Sequence, residues 1–261
     1  MTPPSVVLVT GGARRLGRAM VLDLAARGHA VAIHYRSSAQ EAGELVDALR
    51  IQGRQAQAFC ADLASETACE GLVPAVVAHF GRLDAVVNNA SLFEYDHVES
   101  FSYASMEVHW RANTAPAVVL SRALARQAEA QQSQACVVNV LDQKLWNLDP
   151  DYLSYTLSKA ALECCTGLLA RALAPLVRVC GVAPGVTLPS GTMTESDFQQ
   201  ARRRTPLGRS STPEDIARAV HFLIESPAIT GTTLLVDGGQ HFTPVGRDVQ
   251  FLVSPFGAQS P

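Results

Sequence analysis

Tyr155 and Lys159 stand four residues apart in the run Asp151-Tyr152-Leu153-Ser154-Tyr155-Thr156-Leu157-Ser158-Lys159, and Asp142 lies upstream in Asp142-Gln143-Lys144-Leu145-Trp146. On a helix, that spacing puts the phenol and the ammonium one above the other on one face. A phenol with an ordinary pKa of about 10 exchanges protons poorly at neutral pH, and a neighbouring ammonium favours phenolate and lowers that value. The pair is therefore expected to let Tyr155 trade a proton with a substrate. The bare Tyr-x-x-x-Lys pattern also arises by chance, so its context has to decide. The apolar run Cys136 to Leu141 reads as a strand ending at Asp142, and the small-residue run Ser158 to Ala174 reads as the helix beyond it. Asp142 is then expected at the strand's carboxyl end.

A second constellation suits a phosphate. The first strand-like run ends in Thr10-Gly11-Gly12-Ala13-Arg14-Arg15-Leu16-Gly17. A glycine-rich turn between a first strand and a first helix lets backbone N–H groups approach a pyrophosphate where the helix dipole favours an anion. The spacing is not G-x-G-x-x-G, so a purely structural turn is the competing reading. The next strand ends in His34-Tyr35-Arg36-Ser37-Ser38, with no acid before Glu41. A dinucleotide lacking a 2′-phosphate calls for an acid here, whereas Arg36, with Ser37, Ser38 and Arg14, suits that phosphate through charge-assisted bonds. The cofactor expected is NADPH. The alternative for Arg36 is a solvated loop residue.

The elements that must hold these groups alternate along the chain. Strands are expected at Val6–Val9, Ala30–His34, Gln55–Cys60, Leu83–Asn88, Cys136–Leu141, Val177–Val182 and Thr232–Val236. Between them, helices are expected at Leu16–Arg27, Gln40–Arg50, Glu66–Phe80, Met106–Gln131 (one helix or two), the Tyr155 helix, and Pro213–Glu225. Strands this rich in Val, Leu, Ile and Ala, alternating with helices, imply an α/β fold: one Rossmann-like, doubly wound parallel sheet of about seven strands with helices on both faces. The segments Ser91–Ser105, Val186–Ser211 and the tail after Gly239 look irregular, and long loops at strand ends are commonly functional. A single domain is expected over residues 1–241, with a substrate loop at 186–211 and a tail at 242–261.

Composition narrows the function classes. A chain of 261 residues with 48% hydrophobic and 17% charged residues can bury one large core. A net charge of −3 leaves no basic footprint for nucleic acid, and Arg202-Arg203-Arg204 reads as a solvated helix face. Met1-Thr2-Pro3-Pro4-Ser5 has no positive leader and no apolar run is long enough to span a bilayer, so a cytoplasmic protein without membrane contact is expected. Cys60, Cys69, Cys136, Cys164, Cys165 and Cys180 form no C-x-x-C pair and have no ligand-spaced histidine. They are expected to be reduced and mostly buried, with no metal site.

The Thr10–Gly17 turn, Asp62, Asn88-Asn89-Ala90, Asn113, Tyr155-x-x-x-Lys159, Pro184-Gly185 and Asp237-Gly238-Gly239 follow one another in the expected strand context. Over nearly the whole chain this set resembles the short-chain dehydrogenase/reductase family. The resemblance implies an NAD(P)-dependent oxidoreductase and a tetramer. Tyr155 would be the general acid, Lys159 would lower its pKa and hold the nicotinamide ribose, Asn113 would support a proton-relay water, and Pro184-Gly185 would border the nicotinamide. It also places Gly11, Arg14, Arg15, Leu16, Gly17, His34, Tyr35, Arg36, Ser37, Asp62, Leu63, Asn89, Ala90 and Ser91 around the cofactor.

Two departures narrow the resemblance. Most of the family has Ser thirteen residues before the tyrosine, donating to a substrate carbonyl, where this chain has Asp142; Arg15 stands where Gly or Ala is usual. A carboxylate cannot donate a hydrogen bond unless protonated or water-linked. With His34-Tyr35-Arg36-Ser37 and Ala90-Ser91-Leu92-Phe93, the chain resembles the pteridine reductase branch. That implies Arg15 facing the pterin and the cofactor phosphates, Phe93 stacking on the pterin, Ser91 contacting pterin or phosphate, and Asp142 working with Tyr155 in proton delivery. A flat heteroaromatic suits an aromatic face, and burial beside Tyr155 is expected to raise the pKa of Asp142. Trp146, Leu188 and Met193 are candidates for the pocket wall. Phe93 as a loop anchor, Asp142 as a turn cap, and the apolar three as lid packing are the competing readings. The function expected is NADPH-dependent reduction of a pterin, dihydropterin to the tetrahydro form, with a carbonyl reductase or alcohol dehydrogenase of the same fold, or a non-catalytic NADPH-binding regulatory subunit, as alternatives.

Overall fold

The computed structural model describes residues 4–190 and 193–253. Residues 1–3 and the tail from 254, on which the leader and tail expectations partly rest, lie outside the described residues, as do 191–192 of the expected substrate loop. Elements alternate as β1 (Val6–Val9), α1 (Arg15–Ala26), β2 (Ala30–Tyr35), α2 (Ala39–Ile51), β3 (Ala56–Cys60), α3 (Glu66–Phe80) and β4 (Ala85–Asn88). They continue as α4 (Tyr103–Asn113), α5 (Ala115–Ala130), β5 (Ala135–Val140), α6 (Leu153–Ala172) and β6 (Val177–Pro184), then α7 (Glu195–Arg203), α8 (Pro213–Glu225), β7 (Thr233–Val236) and α9 (Val249–Val253).

The seven strands form one parallel sheet in the order β3-β2-β1-β4-β5-β6-β7. Side chains on a strand alternate between faces, so each strand feeds two cores. Val7 and Val9 of β1 join Met20, Leu24, Leu45, Ile216 and Val220 beneath α1, α2 and α8. Val6 and Leu8 join Leu72, Val76, Leu120 and Leu124 beneath α3 and α5. Strand order reverses between β1 and β4, so the connections leaving those two strands part to opposite sides and open a crevice at their carboxyl ends.

Three places differ from the sequence expectation. Helix α6 begins at Leu153, before Ser158, so Tyr155 and Lys159 both lie within it. The segment 186–211, expected to be irregular, contains α7, started by a capping box in which Thr194 Oγ1 accepts from the Asp197 N–H while Asp197 reaches back to the Thr194 N–H. The tail contains α9, which packs on α7. Cys69, Cys136 and Cys180 are buried as expected, but Cys60 and Cys164 are exposed, Cys60 at the open end of β3 and Cys164 on the outer face of α6.

Candidate active site

The cradle at the crevice is built from backbone. Gly11 adopts φ +61°, in the left-handed region that only glycine enters freely, and a Cβ on Gly17 would lie 2.1 Å from the Gly11 carbonyl oxygen. The turn therefore closes against the start of α1 with no room for a side chain. Thr10 Oγ1 accepts from the N–H groups of Asn89 and Ala90, and the Asn89 side chain donates to Thr10 O at 2.8 Å, tying the turn to the end of β4. His34 lines the crevice yet is only 2% exposed. Its Nδ1 accepts from the Gly11 N–H and its Nε2 faces Ala61 O, both at 3.0 Å, so the proton sits on Nε2. Burial lowers its pKa and keeps the ring neutral. His34 thus shapes the glycine turn, and its ring nitrogens are both engaged there.

Helix α1 starts without a side-chain cap and without an acid in its first turn. Such a helix end presents unpaired N–H groups and positive dipole to an anion. The crevice in front of it has a volume of about 390 Å³, with Arg14, Arg36, Ser37, Asp62 and Leu63 among its walls. Arg36 is exposed, and Arg14 reaches Glu41 across 3.4 Å in an exposed pair that holds it only weakly. Tyr35, Leu16, Ala90 and Ser91 complete the lining. The crevice brings these predicted residues together, and their types are ones that would fit a dinucleotide.

Arg15 has φ +51°, an uncommon backbone for a residue with a side chain. Its guanidinium donates to the Pro189 carbonyl at 2.6 Å, joining the cofactor turn to the segment after β6. Leu188, half-buried, is next to that contact. Pro184 ends β6, and a Cβ on Gly185 would meet Ser210 Oγ at 2.5 Å, so the bend there needs glycine.

The catalytic candidates converge beyond it. Tyr155 Oη donates to Asp142 Oδ2 at 2.8 Å. The other carboxylate oxygen accepts from the Lys144 N–H at 2.8 Å and caps the 3₁₀ turn Gln143–Trp146. The carboxylate thus caps the turn with one oxygen and accepts from the phenol with the other. Burial, offset by the Lys144 N–H and the phenol, raises the Asp142 pKa, as expected. Lys159 Nζ donates to the Val140 carbonyl at 2.8 Å and lies 5.8 Å from the centre of the Tyr155 ring.

The net direction at the phenol is the opposite of the one expected from Lys159 alone. Burial first, then the Asp142 charge and its hydrogen bond, raise the Tyr155 pKa well above 10, while burial pushes Lys159 down to about 8. Desolvation sets the direction, the carboxylate that touches the phenol adds to it, and the ammonium is itself desolvated and turned to a carbonyl. The Asn113 side chain is held entirely by protein groups. Its carbonyl accepts from Ser91 Oγ and the Leu92 N–H, and its amide donates to Leu92 O and Ser158 Oγ, which uses all four of its side-chain bonds. It fastens the Ser91 loop to α6 where α4 ends.

Phe93 lies across the phenol, with its ring centre 4.6 Å from that of Tyr155 at 86°, and stacks on Tyr152 at 4.1 Å and 16°. It is 39% exposed, as is Trp146 on the 3₁₀ turn. Sequence reasoning missed what supports this aromatic wall from behind. Tyr152 Oη donates to Gln250 Oε1 at 3.0 Å, and Phe251 and Tyr95 pack about the same ring. Arg247 forms a forked pair with buried Asp151, and the buried Lys144 ammonium sits between Asp149 and Asp248. Gln250, Arg247 and Asp248 are about a hundred residues from Tyr152, Asp151 and Lys144, so no local spacing could reveal them; they assign the segment Arg247–Phe251 the job of fixing Tyr152 and, through it, Phe93. Asp96, which accepts from the Ser154 N–H at 2.9 Å and from its hydroxyl, pins the start of α6 and was also missed.

The family model described as "Enoyl-(Acyl carrier protein) reductase" matches residues 11–241. An uncharacterised oxidoreductase of Methylorubrum extorquens is 35% identical, with 90% of this chain and 96% of that protein covered. Pteridine reductase 1 of Leishmania tarentolae is 33% identical, covering 91% of this chain and 96% of its own. The crystal structure of FolM alternative dihydrofolate reductase 1 from Brucella suis, in complex with NADP, superposes with a TM-score of 0.89 at 38% identity, covering 95% of this chain and 99% of that one.

Proposed function

The chain belongs to the short-chain dehydrogenase/reductase family, and from that premise we propose that it is an NADPH-dependent reductase that converts a dihydropterin to a tetrahydropterin. The observation that carries the substrate class is the 2.8 Å bond from Tyr155 Oη to Asp142 Oδ2. A carboxylate there offers no donor to orient a ketone oxygen, but it can accept from the N–H edge of a pterin or, when protonated, pass a proton to a ring nitrogen. The relatives named for pteridine and dihydrofolate reduction support the same substrate class, and the NADP bound to the Brucella protein supports the cofactor. The crevice fits that cofactor: an uncapped helix start, a turn too tight for a Cβ at Gly17, and Arg36 beside Ser37.

Bound NADPH supplies the hydride. The chain's own residues manage the proton. Tyr155, its pKa raised, keeps its proton at neutral pH and holds it on Oη, ready for a substrate nitrogen. Once that proton leaves, the negative charge on Oη is the state that Lys159 stabilises, and a protonated Asp142 can restore the phenol along their hydrogen bond. Phe93 gives the flat substrate an aromatic face, and Arg15, Ser91, Trp146 and Leu188 surround it at the loop edges.

A pH dependence follows from Lys159. Its charge is lost as pH rises through about 8. If the ammonium is needed when the phenol gives up its proton, kcat/KM for dihydropterin falls on the alkaline side of pH 8, while Tyr155 does not titrate in that range. A profile flat from pH 7 to pH 9.5 would remove Lys159 from the proton path.

The proposal includes a homotetramer. Leu157 is 45% and Leu168 61% exposed, with Ala160 and Cys164 on the same outer stripe of α6. An apolar stripe of that kind suits a twofold partner. Light scattering at micromolar concentration is expected to give four times the 27.8 kDa chain mass, and a monomer mass would reject the assembly.

A further inference from the structure

We propose that His29, His221 and Glu225 form a binding site for a divalent transition-metal ion, Zn²⁺ by the chemistry of its donors, at the end of the sheet opposite the active site. His29 immediately precedes β2, as Asp84 immediately precedes β4, so the cluster sits at the amino ends of the strands. The nicotinamide-binding chemistry lies at the carboxyl ends.

One ligand atom from each of the three side chains lies within 4.8 Å of the other two. His221 and Glu225 are four apart on α8, so they project from one face of that helix toward the turn that carries His29. His29 Nε2 is 3.9 Å from a Glu225 carboxylate oxygen, and the two imidazole rings meet edge to face with centres 5.4 Å apart. Two imidazoles and one carboxylate are a set that Zn²⁺ accepts with a fourth position open.

The supporting shell is present as well. His29 Nδ1 is 2.5 Å from Ser5 Oγ, and with the proton on Nδ1 the ring donates to that hydroxyl and turns the Nε2 lone pair to the cluster. A second partner of this kind orients a metal-binding histidine. His29 is only 8% exposed, so its ring is held in place by its surroundings. The nearby cation Arg27 is already paired with Asp23 at 2.7 Å, and Asp84 with Arg82.

Tetrahedral Zn²⁺ with bonds of about 2.0–2.1 Å needs ligand atoms about 3.3 Å apart. Closing the cluster to that spacing would fall to His221, half-buried, and Glu225, exposed, rather than to buried His29. The ion would then clamp α8 to the turn between α1 and β2, elements that already share one core.

The test uses the full chain with any tag removed, stripped with EDTA and titrated with ZnCl₂ by calorimetry. One equivalent is expected to bind at micromolar or tighter Kd, and excess Zn²⁺ to raise Tm by about 5 °C or more. His221→Ala and Glu225→Gln should each weaken binding about tenfold or more and abolish the Tm rise, with Tm in EDTA and the rate of NADPH oxidation unchanged. Because Glu225 is exposed, Glu225→Gln decides the matter should His221→Ala fold poorly. Absence of saturable uptake overturns the proposal and leaves only a His–Glu contact; uptake unaltered in the variants also overturns it and points to the exposed Cys60 or Cys164 thiols.

Discussion

Replacing Asp142 with Ala is expected to lower kcat for dihydropterin reduction by about 10²- to 10⁴-fold, the usual loss for a general acid or base, with NADPH affinity little changed. The carboxyl is the group nearest the phenol proton, at 2.8 Å, and burial has already raised its pKa. Ala also removes the cap on the Lys144 N–H. Asp142→Asn separates the two roles, since an amide oxygen still caps that N–H but cannot hand over a carboxyl proton. Both variants should fail alike if proton delivery is the role, and Asn should recover most activity if capping is. Asp142→Ser restores the donor common elsewhere in the family. A pterin reductase should lose activity with Ser, whereas a carbonyl reductase should keep or gain it.

The second large effect concerns cofactor choice. Wild-type protein is expected to favour NADPH strongly over NADH, because Arg36 at the end of β2 supplies a planar cation where an acid would otherwise receive ribose hydroxyls. Arg36→Asp should cut the NADPH-to-NADH ratio of kcat/KM by about 10²-fold, replacing charge-assisted bonds with like-charge repulsion. Arg36 lies exposed on the crevice wall, so the substitution should leave Tm nearly unchanged. Equal kcat/KM for the two cofactors in the wild type would discard the assignment of the 2′-phosphate to this corner.

Much of this architecture is legible in the chain because its strands are short apolar runs and its helices end at recognisable caps. Glu66–Phe80 and Pro213–Glu225 are read from sequence with the bounds they have in the structure, one after Ser65 and before Gly81, the other after Thr212 with Pro213 at its first position. The capping pair Thr194 and Asp197 carried the same signal for α7. The helix is hard to read from sequence because its segment has few apolar residues to set a period. Helix α6 begins at Leu153 with Tyr152 in the left-handed region at φ +57°, a start fixed by the Asp96–Ser154 contact and by the tail, which no local pattern displays.

At the site, residue types predicted proximity better than they predicted charge. Asp142, Tyr155 and Lys159 do meet, as the spacing and the strand end required. The direction of the Tyr155 pKa is set first by burial and then by the carboxylate that touches the phenol, and depth of burial is not legible in the spacing of the residues. Asn113 is near the site as expected, yet its bonding capacity is consumed by the Ser91 loop and Ser158, a fact set by how α4 and α6 pack. The wall made by Tyr95, Tyr152, Gln250 and Phe251 depends on the chain's last described helix folding back over the site.

The central claim is tested most directly by following NADPH oxidation by the purified protein, with wild type and Tyr155→Phe compared on dihydropterin, quinonoid dihydropterin, dihydrofolate and a panel of ketones. The account predicts turnover of a dihydropterin well above that of any ketone, lost in Tyr155→Phe. Ketone reduction with every pterin untouched would contradict it.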